Sequence, residues 1–448
     1  MAGDISKVLD IPGVSYWDFR ETEISNNHII TLNSEVKDIT NINRKSHCVR
    51  VLYNGCIGFY HSETENYKES ALKALKIAKV LSTHLKKTSI AEFKTIKANK
   101  KSVFKINPTD ISIEEKKKLL LEQKPNDEKI KSYQLIYIDL NKKMFFRNSE
   151  NSNIKQNLTF TYIGSGIVAK DKRFESFDMR DGAMCGYELT KSLPNIFEES
   201  IKNVKILLKA NHIKGGSVPV VCDGRLTEVV IHEALGHATE ADIVLQKDSC
   251  LENMKGKKIA PDYVNIYDSG LGNYWGSFFY DDEGIPSQKT MLVKNGIFQR
   301  FLHSRHTANV FIEKPTGNSR AQDNHNNVQV RMTNTCMEPG EFKEEEMFEN
   351  IKKGVYLMGH KGGEVNTSNG NFMFNAQMGY LIENGELTTP LREVSLAGNT
   401  LKTLQNIVRI SKKTQKGSPG FCGKNGQLVQ VTGNNPHIML KNALVGGI

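Results

Sequence analysis

The sequence predicts an α+β fold, with strands and helices in its N-terminal part and mainly antiparallel strands in its C-terminal part. Short apolar runs alternate with helical stripes up to about residue 210, and the pair Gly215-Gly216 then interrupts this pattern. Beyond residue 260 the chain is strand and turn almost throughout. We therefore expect an N-terminal α/β domain with an antiparallel sheet and helices over residues 1–214. A mainly antiparallel β domain is expected over residues 215–448.

The N-terminal domain is predicted to begin with short strands at 29–32 and 48–52. Asn54-Gly55 then makes a tight hairpin turn into a third strand at 56–60. A helix follows, because small and apolar residues recur there at helical spacing. These residues are Ala71, Ala74, Leu75, Ala78, Leu81 and Leu85.

Further along this domain, Ser112 and Glu115 form a capping box for a second helix, which stops before Pro125. Strands of an antiparallel sheet are predicted at 135–138 and 158–162. Another helix is predicted from Pro194 to about residue 210, since proline favours the first turn of a helix.

The C-terminal domain is predicted to begin with a strand at 218–221 and a turn at Asp223-Gly224, directly before a helix that contains His232. Asn295-Gly296 and Asn384-Gly385 then mark two hairpins, because Asn-Gly favours the backbone of a two-residue turn. The helix of His232 is thus expected to pack against an antiparallel sheet.

Composition is that of a globular protein of two or three domains: 448 residues, 38% hydrophobic and 25% charged. The first residues lack a basic region followed by an apolar run, so no signal peptide is expected, and no apolar stretch predicts a membrane span. Seven cysteines, an odd number without paired spacing, argue against a disulfide framework. We therefore expect a cytoplasmic protein with reduced thiols.

The formal charge of +10 suggests a nucleic-acid partner. The lysines, however, are scattered or stand in mixed clusters such as residues 114–118, and the sequence contains no arginine-rich run or helix-turn-helix pattern. A solvated lysine-rich surface explains this composition better, so no nucleic-acid partner is expected.

The segment from His232 to His237, with Glu233 between them, carries the residue types of a catalytic metal site. Five residues of regular helix would turn the second imidazole by about 140° from the first, too far for a shared ion. A π-type turn, at about 4.4 residues per turn, reduces this offset to about 50°. A metal site here therefore requires a distorted helix, and Gly236 is where we expect the distortion.

A catalytic zinc ion takes three protein ligands, so two histidines leave one to find. Glu240 lies three residues beyond His237, near the same face of the helix. Cys422 is the other candidate, because glycines at 420 and 423 allow the backbone to approach closely, as a thiolate ligand in a turn requires. The spacing alone leaves the choice between them open.

The chain resembles the TldD/PmbA family of metalloproteases. The residues from His232 to His237, with Glu240 and Asp242 beyond them, match the HExxxH segment of that family. Further segments match in order along most of the chain. They are 49–51, 54–55, 58–59, 279–305, 317–320, 331–335, 362–363, 380–385, 396–399 and 422–424.

This resemblance implies a zinc peptidase that acts on small or unfolded polypeptides, with a dimer enclosing its site. It implies one Zn²⁺ per active subunit, held by His232, His237 and Cys422, with Glu233 as general base on metal-bound water. Glu240 then takes a supporting role and orients an imidazole. Some relatives lack the ligands and act as partners, so a homodimer or a heterodimer with a metal-less relative is implied. This chain keeps the ligands and resembles the active, TldD-like type.

His303, Arg305 and Arg331 are candidates to bind substrate or the oxyanion, although a structural or positioning role is favoured for each. Two competing functions remain at this stage. One is a basic nucleic-acid or topoisomerase-associated binding protein, and the other is a purely structural metal site.

Overall fold

The computed structural model describes residues 3–84 and 87–447 of the chain. It confirms the predicted α+β class, because helices accompany two large, mainly antiparallel sheets. In the described ranges the helices are α1 (Gly3–Leu9), α2 (Tyr67–Leu81), α3 (Ile113–Leu121), α4 (Leu193–Leu207), α5 (Gly224–Val229), α6 (Ala241–Leu245), α7 (Arg305–Phe311) and α8 (Thr400–Gln405). None of these helices is both long and apolar enough to span a lipid bilayer.

Seven strands of the described chain form the N-terminal sheet, in the order β3-β2-β1-β5-β6-β4 with β7 beside β6. They are β1 (Val14–Leu32), β2 (Glu35–Tyr53), β3 (Cys56–Ser62), β4 (Lys97–Lys101), β5 (Ile130–Asn148), β6 (Asn153–Lys170) and β7 (Phe174–Ala183). Neighbouring strands are antiparallel except β4, which runs parallel to β6.

The strands predicted at 29–32 and 48–52 were far too short, because β1 and β2 each contain 19 residues. Residues 35–44 of β2 are mostly exposed and pair with β1 alone. This end of the hairpin is held by backbone hydrogen bonds rather than by burial, so it lacks the apolar alternation that predicts a strand. Asn33 and Ser34 turn the chain between the two strands, both with positive φ.

The N-terminal sheet packs its helices in two separate cores. Helices α1 and α2 bury Ile5, Ala71 and Ala74 against β1 and β2, and α4 buries Phe197 against β6 and β7. The predicted helices are confirmed at 67–81, at 113–121 with its capping box, and at 193–207. Leu85, predicted on the stripe of α2, lies outside the described residues.

The C-terminal sheet contains nine strands of the described chain, in the order β16-β17-β20-β24-β8-β15-β18-β19 with β21 beside β24. Three smaller sheets join β11-β10-β9-β14, β12-β13 and β22-β23. The strands are β8 (Gly216–Cys222), β9 (Ile266–Ser269), β10 (Lys289–Lys294), β11 (Ile297–Phe298), β12 (Ser319–Arg320), β13 (Gln329–Val330), β14 (Thr335–Met337), β15 (Lys353–Met358), β16 (Gly363–Asn366), β17 (Asn371–Asn375), β18 (Met378–Glu383), β19 (Glu386–Leu391), β20 (Val394–Asn399), β21 (Ile407–Lys416), β22 (Gly420–Lys424), β23 (Gln427–Val431) and β24 (Asn434–Gly447).

The three predicted Asn-Gly hairpins are confirmed, since Asn54, Asn295 and Asn384 all have positive φ between paired strands. The turn predicted at Asp223-Gly224 is wrong. Asp223 is instead the N-cap of α5, and its side chain accepts a hydrogen bond from the backbone N–H of Leu226 at 2.8 Å. Strand β8 therefore leads directly into the helical segment of His232, at the centre of the C-terminal core.

Candidate metal centre

The helical segment of His232 is distorted in the way that its histidine spacing requires. Helix α5 continues without a break into a π-helix over Val230–Gly236, where the backbone N–H of His237 donates to the carbonyl of His232. The wider turn brings the two imidazoles to the same side, with ring centroids 5.4 Å apart and ring planes at 86°. The predicted π-type turn is confirmed.

Gly236 is needed here for a reason other than a loosened backbone. Its φ of −56° and ψ of −54° are ordinary right-handed helical values. A Cβ at this position would lie 2.0 Å from the sulfur of Met332. The glycine thus permits close packing beneath the metal centre, and it is not the source of the π-turn.

Two carbonyl groups of this irregular segment are satisfied by hydroxyl groups. Thr400 Oγ1 donates to the carbonyl of Ala234 at 2.9 Å, and Thr239 Oγ1 donates to the carbonyl of Gly236 at 2.6 Å. Buried backbone acceptors need such partners when a regular helix does not supply them. Thr400 lies far along the sequence, and sequence reasoning did not find it.

Cys422 lies beside both histidines, although 185 residues separate it from His237. One ligand atom each from His232, His237 and Cys422 lies within 4.8 Å of the others, and the sulfur is 3.3 Å from His237 Nε2. His232 Nε2 is buried and has no hydrogen-bond partner among the described residues. This set of two nitrogens and one sulfur suits a zinc ion, and the unpartnered nitrogen fits a ligand role.

The electrostatics of this cluster favour a thiolate. Burial alone would raise the pKa of the Cys422 thiol, but the nearby imidazoles of His232 and His237 lower it to about 5. A thiolate is the form of cysteine that binds a metal ion. The three side chains are therefore arranged as a negatively charged sulfur between two nitrogen donors.

The hairpin of β22 and β23 holds Cys422 in place, and Arg331 anchors this hairpin. Arg331 has no solvent exposure, and its guanidinium donates to the carbonyls of Cys422 and Gln427. The sequence suggested Arg331 for substrate or oxyanion binding. The structure places it behind the hairpin, where it fixes the backbone of the cysteine.

Glu240 lies on the far side of the His237 ring, away from the sulfur. Its Oε2 accepts hydrogen bonds from His237 Nδ1 at 3.0 Å and from Lys424 Nζ at 3.1 Å. Burial opposes its charge, yet His237 and Lys424 hold the pKa of the Glu240 carboxyl at about 2. Its carboxylate bonds to the imidazole nitrogen opposite Nε2, which is the position of a group that orients a ligand.

Lys424 ties the cysteine hairpin to the helical segment, and the sequence reasoning did not assign it a role. Besides Glu240, its amine donates to Asp242 Oδ1 at 2.7 Å and to the carbonyl of Val330 at 2.9 Å. The signal was present in the spacing, because residues two apart on a strand share a face. Cys422 and Lys424 both stand on β22 and both contact the helical segment.

Glu233 lies at the solvent side of the cluster. Its side chain is 34% exposed, and its Oε2 is 3.6 Å from His237 Nε2, the nitrogen that also contacts the sulfur. The three donors are buried, so Glu233 is the acidic group next to them that solvent reaches. A carboxylate in this position can exchange protons with a water molecule at the centre.

His303 and Arg305 make their contacts elsewhere, and neither hydrogen-bonds to the cluster in the described structure. His303 is fully buried, its Nδ1 is 3.2 Å from Thr307 Oγ1, and burial lowers its pKa to about 4. The Arg305 side chain binds the carbonyl of Ala91 at 2.8 Å and Glu150. The contacts of Arg305 join the C-terminal part to the N-terminal part.

Comparison with known proteins identifies the family of this chain. A family model described as the PmbA/TldA metallopeptidase C-terminal domain matches residues 215–447, and one described as PmbA/TldA metallopeptidase domain 1 matches residues 17–79. The chain belongs to the TldD/PmbA family. It is a metalloprotease, because the family is one of metallopeptidases and relatives that match nearly the whole chain are named metalloproteases.

A metalloprotease of Methanocaldococcus jannaschii is 37% identical over 95% of this chain and 96% of its own length. A zinc metalloprotease TldD homolog of Saccharolobus solfataricus is 32% identical over 97% of each chain. Both alignments include nearly the whole of this TldD/PmbA chain.

Two solved structures share the fold. A Thermotoga maritima protein, described as a proposed modulator of a DNA gyrase, has a TM-score of 0.82 at 20% identity and covers 99% of this chain and 98% of its own. TldE from Thermococcus kodakarensis has a TM-score of 0.79 at 19% identity, with coverage of 99% and 98%. Because the sequence identities are only 20% and 19%, these two structures show a shared fold and nothing further.

Proposed function

We propose that this chain is a zinc-binding, TldD-like subunit that hydrolyses small or unfolded polypeptides. One observation carries the proposal: three buried donors from His232, His237 and Cys422 converge beside the accessible carboxylate of Glu233. The zinc metalloprotease name of the S. solfataricus relative supports the choice of metal. We assign one zinc ion to each chain.

In the proposed mechanism, His232, His237 and Cys422 would hold the zinc ion, which would supply Lewis acidity to a water molecule and to the scissile carbonyl. Glu233 accepts the proton of that water on its carboxylate and later donates it to the departing amine. Glu240 holds the ring of His237 in orientation through Nδ1. Arg331 and Lys424 keep the hairpin of Cys422 against the helical segment.

We further propose a cytoplasmic dimer, formed by two copies or with a metal-less relative. The seven cysteines, all in the described part of the chain, form no disulfide bonds with one another, which is typical of a reducing compartment. The likeness to TldE from T. kodakarensis supports a partner of the same fold. The substrate is a peptide, and no nucleic acid is required for the reaction.

The test combines metal analysis with peptide cleavage. Wild-type protein and Glu233→Ala are loaded with zinc, freed of excess metal, and incubated with a mixture of unstructured peptides whose products are identified by mass spectrometry. We expect both proteins to retain the metal, while cleavage by Glu233→Ala falls by about 10²–10⁴-fold, the contribution of a general base. Glu364→Ala, which removes an exposed glutamate of β16, is the matched control and keeps wild-type activity.

Each competing function predicts a different result. Cleavage by metal-loaded Glu233→Ala at the wild-type rate would show that another group is the base. Unfolding on chelation without any peptidase activity would indicate a structural metal site. Strongly salt-dependent DNA binding that Glu233→Ala leaves unchanged, again without peptidase activity, would indicate a nucleic-acid-binding protein.

A further inference from the structure

A cavity lies between one face of the N-terminal sheet and the loops of the C-terminal part. Its volume is about 80 Å³, and its walls include Arg20 of β1, Lys142 of β5, Arg320 of β12 and Gln430 of β23. A water molecule needs about 10–15 Å³ on this measure, so the cavity has room for several waters or for a carboxylate group. The metal centre does not use any of these four residues.

Two cationic side chains in this cavity have no anionic partner. Lys142 Nζ donates to Gln430 Oε1 at 2.8 Å, and Arg320 donates to the carbonyl of Met332 at 2.8 Å. In the described chain, neither has a carboxylate oxygen within 4.0 Å. Burial lowers the pKa of Lys142 to about 8, with the charge of Arg320 adding to the effect. A buried cation without a partner is costly, and an anion between the two would relieve that cost.

Three aspartates also line the cavity, and each is already engaged. Asp281 accepts from backbone N–H groups, including that of Ile285 at 2.9 Å. Asp282 pairs with Arg20 at 3.4 Å and accepts from the backbone N–H of Ala321. Asp323 accepts from the backbone N–H of His325 at 2.9 Å and from the side chain of Asn326. These acids stabilise their own loops and act on Lys142 and Arg320 only from beyond ion-pair distance, Asp282 on both cations and Asp323 on Lys142.

Two hydrogen-bond donors of the cavity wall are buried and unpartnered in the described structure. They are Nε of Arg20, whose residue is 4% exposed, and Nε2 of Gln430, whose residue is 5% exposed. Buried polar groups are nearly always hydrogen-bonded, so such donors indicate a missing acceptor. The unpartnered donors of Arg20 and Gln430, together with the cations Lys142 and Arg320, indicate a binding site for an anion.

A second cavity, of about 320 Å³, shares Lys142, Arg320 and Gln430 with the first and extends along the hairpin that carries Cys422. Its other walls include Phe421, the residue before Cys422, and Val429, the strand partner of Cys422. Phe421 is 56% exposed. A polypeptide that enters from solvent here would pass the cysteine hairpin before it reaches the cationic side chains.

The wall of the first cavity next to its charges is aromatic, since Lys142 Nζ lies 5.8 Å from the ring centre of Phe160 and the Arg320 guanidinium lies 5.2 Å from that of Phe278. It contains Phe160, Trp275 and Phe278, with Leu158 beside them. A carboxylate that carries an apolar side chain matches both surfaces, one through hydrogen bonds and the other through burial. The carboxyl-terminal residue of a peptide has this combination.

We propose that this cavity binds the free carboxylate of a peptide's carboxyl-terminal residue, with Lys142 and Arg320 as the anchoring cations. The site names a substrate class for the proposed peptidase: unstructured peptides that end in a free, apolar carboxyl-terminal residue. The role of this site in substrate binding rests on the proposed peptidase function, but binding of the carboxylate is measurable without catalysis.

The probes are two peptides of one unstructured sequence that contains no aspartate or glutamate, ends in phenylalanine and carries fluorescein at its N-terminus. One ends in a free acid and the other in an amide. Fluorescence anisotropy with zinc-loaded Glu233→Ala gives Kd for each. We expect the amide to bind more weakly by about tenfold or more, because it loses charge-assisted hydrogen bonds.

Variants show whether Lys142 and Arg320 cause this difference. In Lys142→Met or Arg320→Met, introduced into the Glu233→Ala protein, the acid and the amide should bind with nearly equal Kd. Lys143→Met is the matched control, because Lys143 neighbours Lys142 but is 65% exposed and pairs with Glu23. It should keep the full preference for the acid. Circular dichroism melts confirm that each variant is folded, and Arg320→Lys replaces Arg320→Met if the latter is not.

Steady-state cleavage by the wild-type protein provides the second readout. Amidation should raise KM by about tenfold with little change in kcat, as expected for loss of uniform binding. Equal Kd for acid and amide would overturn the carboxylate anchor while leaving the peptidase intact. A strong acid preference in binding, with no cleavage of either peptide, would support the anchor and overturn the peptidase.

Discussion

Two buried polar clusters of this protein differ in how completely their members are paired. At the junction of the two parts, Arg50 contacts Asp18 at 3.0 Å and Glu283 at 3.0 Å, and Glu283 also accepts from the backbone N–H of Arg305. All of these side chains are less than a tenth exposed. Charges here satisfy one another, so the cluster acts as a structural connection.

The metal centre is arranged differently. His232 Nε2 has no partner among the described residues, and the Cys422 sulfur lies beside two imidazoles. The comparison teaches that burial and charge alone do not indicate a functional site. Arg305 belongs to the satisfied cluster and Cys422 to the unsatisfied one, although both were candidates on sequence grounds.

The largest effect is expected from removing the sulfur. In Cys422→Ala the remaining two imidazoles should bind zinc far more weakly, by well over the roughly 10–100-fold that loss of a supporting hydrogen bond produces. Competition with a fluorescent chelator measures this affinity. Cys250→Ala, which removes a half-buried thiol, should leave it unchanged. Unaltered zinc affinity in Cys422→Ala would remove the cysteine from the ligand set.

Breaking the satisfied cluster should affect stability and spare the metal. Arg50→Met leaves Asp18 and Glu283 as buried charges without their cation, so we expect a loss of about 3–5 kcal/mol in the free energy of unfolding. Urea denaturation of the metal-free protein measures it. Arg44→Met, at an arginine that is 42% exposed, should cost much less. A change in zinc affinity as large as that in Cys422→Ala would contradict the separation of the two clusters.

A smaller effect is expected at the group that orients His237. Glu240→Gln keeps the shape of the side chain but removes the charge that faces His237 Nδ1, so zinc affinity should fall by about 10–100-fold. The same chelator competition measures it, with exposed Glu252→Gln as control. An affinity equal to that of the wild-type protein would mean that Glu240 only supports the fold.

The smallest effect concerns the acid dependence of stability. Burial opposes the charge of Glu283, but Arg50 and the backbone N–H of Arg305 lower its pKa below the ordinary value of 4.5. Its contribution is therefore complete above pH 4.5 and is lost as pH falls through the lower, folded-state pKa. In metal-free Glu283→Gln, unfolding free energies between pH 3 and 6 should show a shallower decline. The difference is at most about 1.4 kcal/mol per pH unit, and identical slopes would exclude this role.

Local features of the metal centre could be predicted from the sequence because they depend on spacing within one turn. The five-residue interval between His232 and His237 requires a wider helical turn, and the structure has one. Asn-Gly pairs likewise predicted three hairpins, since their backbone preference acts over two residues. The resemblance of separated motifs added the family, which the comparisons confirm.

Tertiary structure decided what lies far apart in the chain. Spacing alone could not choose between Glu240 and Cys422, because the position of Cys422 depends on hairpin register and on Arg331 behind it. Gly236 is required by the sulfur of Met332, a contact across 96 residues that no local pattern reports. The long outer halves of β1 and β2 were missed because pairing, and not burial, holds them. Backbone preferences within one turn can be predicted from the sequence, whereas contacts between distant side chains depend on how the sheets pack.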